Sequence, residues 1–143
     1  MTITQNQPPS STSTRALRRS RYASQVSGLL LAAFGLSATY TVWSTATGRA
    51  SEDFHATDPA VWCFYAAMVA LALAVRRDWL IAWRLTALLL PLLLAVGVLV
   101  YPTLFTAERQ TAFGWFENDV YLGLLMTALY LTVQRLRGRR LEP

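Results

Sequence analysis

One cysteine, one histidine and no lysine occur in this chain of 143 residues. Cys63 alone can form neither an internal disulfide nor a paired-thiol redox centre. His55 alone cannot give a haem two axial imidazoles from protein. No glycine-rich phosphate loop is present, and no Ser, His and Asp fall in a recognisable catalytic arrangement. The sequence therefore offers no catalytic residue, and no cofactor is expected.

Charge is scarce in a particular way. Thirteen arginines and eight acids leave a net charge of +5, but they fall in clusters between long neutral tracts. Those tracts are rich in leucine, alanine and valine, and hydrophobic residues make up 54% of the chain. A nucleic-acid binder would spread its arginines over a polar face, so nucleic acid is not an expected partner. Length permits one domain, and the composition points to a membrane.

Residues 22–48, 59–75, 85–107 and 120–134 contain no charged side chain. A bilayer core of about 30 Å needs roughly 20 apolar residues in a helix, and the first and third tracts meet this directly. The second and fourth gain length from Arg76 and Arg135, whose aliphatic stems can lie in lipid while the guanidinium reaches the headgroups. Neither has the charged face of a helix lying on a membrane surface. The basic start and apolar run of the first tract resemble a signal peptide, but the run is longer than a signal sequence requires, and an uncleaved helix is expected.

Arginine placement gives an orientation. Arg15, Arg18, Arg19, Arg21, Arg76, Arg77, Arg84, Arg135, Arg137, Arg139 and Arg140 flank one set of span ends. The opposite side holds Arg49 and Arg109 with six acids, Glu52, Asp53, Asp58, Glu108, Glu117 and Asp119. Because cytoplasmic flanks are enriched in basic residues, both termini should be cytoplasmic, which requires an even number of spans. The expected fold is an all-α integral membrane protein, a four-helix transmembrane bundle with helices near 23–45, 59–76, 79–104 and 118–136. Residues 1–22 and 137–143 are expected as basic cytoplasmic tails, the first disordered. The five tryptophans, Trp43, Trp62, Trp79, Trp83 and Trp115, lie near span ends, where interfacial anchoring is expected.

Close approach of helices in lipid favours small residues. Ser24, Gly28 and Ala32 recur every four residues in the first span, Ala66, Ala70 and Ala74 in the second, and Gly123 and Thr127 in the fourth. These are expected packing stripes. Pro91 in the third span should bend it, with the Thr86 hydroxyl or a neighbouring helix serving the freed carbonyl of Ala87. Only Arg76, Arg77 and Asp78 separate the second and third spans, so these two should form an antiparallel hairpin. Arg76, Arg77, Arg84, Arg135, Arg137, Arg139 and Arg140 are expected to contact anionic lipid headgroups.

The acids of the opposite side admit two readings. Asp53, His55, Asp58, Glu117 and Asp119 are residue types that could bind zinc or manganese. Alternatively, Asp58 before Pro59 is an N-cap for the second helix, and Asn118 or Asp119 caps the fourth, where the helix dipole favours negative charge. Capping explains why acids appear at helix starts and is preferred, so no metal is expected. No carboxylate lies in the middle of a span.

The expected function is that of a small, non-catalytic, multi-pass protein of the bacterial inner membrane, an accessory, scaffold or subunit of a larger membrane complex. Its expected partners are anionic lipid and either another membrane protein or further copies of itself. An oligomeric channel or carrier for a small or lipidic substrate is the alternative, and a metal-handling or enzymatic site on the acidic side is the third reading.

Overall fold

Runs of alanine, leucine and valine, largely free of glycine and proline, favour helix over any other regular structure. A computed structural model describes residues 11–50, 54–99 and 111–140, and every regular element among them is an α-helix. The helices are α1 (Ser11–Ala46), α2 (Pro59–Arg76), α3 (Leu80–Leu99) and α4 (Ala112–Arg140). Three contain segments long and apolar enough to cross a membrane: Arg21–Ala46, Pro59–Arg76 and Leu80–Leu99.

Two boundaries differ from expectation. Residues 11–22 belong to α1 instead of a disordered tail. Alanine, leucine and arginine are good helix formers, and a helix already nucleated in the adjoining apolar segment propagates into them cheaply. α4 starts at Ala112, six residues before the expected 118, because Thr111 supplies the cap: its Oγ1 accepts from the Gly114 amide at 3.0 Å. Asn118 and Asp119 are thus interior to α4 and do not cap it. Glu52, Asp53, Glu108 and Arg109, and residues 100–104 of the expected third span, lie outside the described residues.

α1 packs against both α2 and α4, α3 packs against α4, and the α2–α3 contact is the smallest of the four. The helices therefore form a ring in the order α2, α1, α4, α3, each antiparallel to its neighbours. The short turn does make α2 and α3 adjacent, yet the first and last helices form the larger interface. Val26, Leu30, Val75, Trp83, Leu90 and Leu125 are fully buried and fill the centre. Gly97 marks a close approach of α3 to α4: a Cβ there would meet Leu122 Cδ2 at 2.7 Å. α3 continues through the outward-facing Pro91, and Thr86 Oγ1 donates to the carbonyl of Ala82 at 2.8 Å instead of serving Ala87.

Both short helix ends close by the same hydrogen-bond pattern. At the end of α1, Gly48 has φ 67°, with its amide bonded to the Thr45 carbonyl and the Arg49 amide to that of Ser44. After α2, Asp78 has φ 57°, with its amide bonded to Val75 and the Trp79 amide to Ala74. These are Schellman closures, in which a left-handed residue turns the chain back to satisfy terminal carbonyls. Glycine suits that conformation without cost; aspartate is one of the few other residues that tolerates it. The end of the ring holding Asp78 is called the turn end below, and the end holding Gly48 the loop end.

Candidate functional site

The buried face of α4 carries polar groups at both ends. Gly114, Glu117, Asn118, Leu125, Ala128, Thr132 and Arg135 are its buried residues, spaced by helical turns. Apolar packing fills the middle, and one ionisable residue lies near each extremity.

At the turn end, Arg135 is only 6% exposed. Its Nη2 lies 2.9 Å from Asp78 Oδ2 and 3.2 Å from Oδ1, so one nitrogen serves both oxygens of the carboxylate. Trp83 Nε1 donates to the same Oδ1 at 2.7 Å, and the Arg135 guanidinium carbon lies 5.9 Å from the centroid of the Trp83 ring. Charge pairing, an indole hydrogen bond and a cation–π contact thus converge on one aspartate. The left-handed backbone of Asp78 aims its side chain inward. This accounts for an aspartate where glycine would be the easier choice.

Two expectations are corrected here. Arg135 is a buried structural ion and not a headgroup contact, because Asp78 draws it inside. Trp83 is fully buried, since its N–H finds Asp78, whereas Trp62, Trp79 and Trp115 are exposed as interfacial anchors would be. Arg76, Arg77, Arg84 and Arg137 are exposed. The side chains of Arg139 and Arg140 lie outside the described residues.

At the loop end, three hydroxyls close a ring. Thr41 Oγ1 donates to the Ser37 carbonyl at 2.9 Å, which leaves it to accept from Tyr65 Oη at 2.8 Å; Tyr65 in turn accepts from Ser37 Oγ at 3.1 Å. This joins α1 to α2 and commits the phenol's one donor. Nearby, Phe113 of α4 packs against Tyr40 and Trp43 of α1, and Tyr121 packs edge-on against Phe34. Glu117 stands one turn from each of those α4 aromatics, on the same face. That register places it level with Ser37 and the hydroxyl ring.

Glu117 is 5% exposed and Asn118 beside it is also buried. Burial lifts the Glu117 carboxyl from 4.5 to about 7. It lies one residue before the tract 118–136 expected to cross the membrane.

The metal candidates do not converge. Asp58 is exposed and caps α2, its Oδ1 accepting from the Ala60 amide at 2.8 Å, with Pro59 as the first helical residue. His55 is half-buried in the preceding turn, where its carbonyl accepts from the Asp58 amide. Asp119 points outward while Glu117 points inward, because two residues along a helix face nearly opposite ways. Among the described residues, no group of three or more His, Cys, Asp or Glu could hold a metal. Asp53 lies outside them.

The small-residue stripes also sit elsewhere than expected. Ser24, Gly28, Ala32, Ala66, Ala70, Gly123 and Thr127 face outward; Ala74 is half-buried. Nothing lies within 4 Å of a Cβ built on Gly28 or Gly123. Within the chain α1 packs instead through Ala23, Val26, Leu30, Ala33 and Phe34, of which Val26, Leu30 and Phe34 fill the space between helices.

Comparison of the chain with protein-family models, curated proteins and solved structures gave no match.

Proposed function

We propose that the chain is a four-span protein of the bacterial inner membrane with both termini cytoplasmic, acting as a non-catalytic accessory or scaffold subunit of a membrane complex. The observation that carries this reading is the contrast between a filled interior and an apolar exterior. Trp83, Leu30, Leu90 and Leu125 occupy the centre of the ring, while Ile81, Leu85, Leu88, Leu92 and Leu99 of α3 face out. A bundle with its centre filled by side chains is suited to holding a shape in lipid. Transport would need a path between copies.

Position in the membrane follows from charge. Arg21, Arg76, Arg77 and Arg137 cluster at the turn end, whereas Asp58 and Asp119 lie toward the loop end, so the turn end faces the cytoplasm. The fourth span is the least apolar. Arg135 near its inner end and Glu117 just before its outer end are both covered by protein, which makes its insertion compatible with lipid.

Purification of the full chain in mild detergent, followed by identification of co-migrating protein, tests the proposal. A stable complex with a different membrane protein supports it. A homo-oligomer that makes liposomes permeable to a small solute would replace it with the channel or carrier reading.

A further inference from the structure

We propose that Glu117 is a proton-binding site that governs how tightly the loop end of α4 sits on α1. The ligand is a single proton, taken from the solution bathing the loop end.

The argument begins with what surrounds the carboxyl. α1 presents Ser37, Tyr40 and Thr41 at this level, and α2 presents Tyr65. α3 carries no charged residue from Leu85 to Leu99. On α4 itself the neighbours are the outward-facing Asp119, the buried amide of Asn118 and Tyr121. Farther out at the loop end are exposed Arg49, half-buried His55 and exposed Asp58, the last engaged as the α2 cap. Among the described residues, then, no cation is paired with Glu117. Glu108 and Arg109 lie outside them.

The Tyr65 phenol cannot take the place of a counter-charge. Tyr65 gives its proton to Thr41 and accepts from Ser37, so its hydroxyl is already committed. Glu117 is close enough to act electrostatically on both Tyr65 and Tyr121, yet burial is the sole cause acting on its own titration. A carboxyl withdrawn from water without a donor or cation is held far more easily neutral than charged. Protonated, Glu117 fits between the aromatic pairs Phe113 with Tyr40 and Trp43, and Tyr121 with Phe34. Ionised, it needs water. More water drawn in at the loop end to solvate it would loosen the seat of Phe113 on Tyr40 and Trp43.

Contrast with the turn end supports the assignment. There the buried guanidinium of Arg135 meets the Asp78 carboxylate at 2.9 Å. The two ends of one helix thus carry a paired ion and a carboxyl with no paired cation among the described residues.

Infrared spectroscopy of the purified full chain in detergent tests the binding. A protonated-carboxyl band should be present at about pH 5 and lost by about pH 9, with a midpoint far above that of a solvated glutamate. Glu117→Gln should lose that band, and Glu117→Asp, which keeps the group if the amide variant fails to fold, should retain a titrating band. The coupling is read by spin labels at Ala46→Cys and Ala112→Cys in a Cys63→Ala background. Their separation should grow as pH rises, and adding Glu117→Gln should hold it short throughout. A band unchanged by Glu117→Gln, or a Glu117 ionised at every pH, overturns the proposal. So does a midpoint that moves when Arg109 is replaced by Gln, which would reveal an ion pair in place of a proton site.

Discussion

Asp78 and Arg135 stand 57 residues apart in sequence and meet across the turn end of the ring, with Nη2 of the arginine 2.9 Å from the carboxylate. The pair fastens the α2–α3 turn to α4. Asp78→Asn tolerates the left-handed backbone but removes the charge, and should lower stability in detergent by about 1–3 kcal/mol, because Arg135 is left buried without its counter-ion. Arg135→Met should cost a similar amount. The double variant should cost less than the sum of the two, a coupling measurable by a thermal or denaturant double-mutant cycle. Strict additivity would show that the two side chains do not act together.

Asp58→Ala should cost about 1 kcal/mol of thermal stability, the usual value of an N-cap, since the Ala60 amide loses its acceptor. His55→Ala should change little. Stoichiometric metal in the purified protein, lost with His55→Ala, would reverse the ranking of these two residues.

Glu117 gives stability a pH dependence of definite sign. Its folded-state value of about 7 lies above the 4.5 of an unfolded chain, so its contribution is complete below about 4.5 and is lost as pH rises through 7. The decline across that window should be on the order of 3 kcal/mol and should flatten in Glu117→Gln. Melting curves at a series of pH values check this, and a stability that rises across the window would contradict it.

Single cysteines in a Cys63→Ala background test orientation. Cysteine at Thr47 or Thr111 should react with an impermeant thiol reagent added outside intact cells, while cysteine at Ser13 or Glu142 should not, because the arginines flank the ends nearest residues 13 and 142. Labelling at Ser13 would refute the orientation.

Much of the architecture is legible from charge-free tract lengths, which place the apolar stretches of the first three helices and the turn at Arg77 and Asp78. Asp58 before Pro59 likewise announces the cap of α2. The site was harder to read because inspection of tracts stops at the first charge. Glu117 and Arg135 bracket the fourth tract and read naturally as its wet ends. Extending the buried spacing of Leu125, Ala128 and Thr132 in both directions brings Glu117 and Arg135 onto the same face. Their burial is settled by partners remote in sequence. Asp78 draws Arg135 inside, and the packing of α1 against α4 buries Glu117. Small-residue spacing also has no built-in direction: Gly28 repeats regularly whether its face meets a neighbour or the outside.

The pairing of α1 with α4 bears on the order of synthesis. α1 is made first, and the helix that forms its larger interface is made last. Until α4 emerges, Val26 and Phe34 have only α2 to lie against, and Trp83 waits without Arg135. The α2–α3 turn can form early, but it brings together the pair with the least mutual contact. Assembly is therefore held back to the last stage of translation, and a chain stalled before α4 exposes the inner face of its first helix to any other apolar helix nearby.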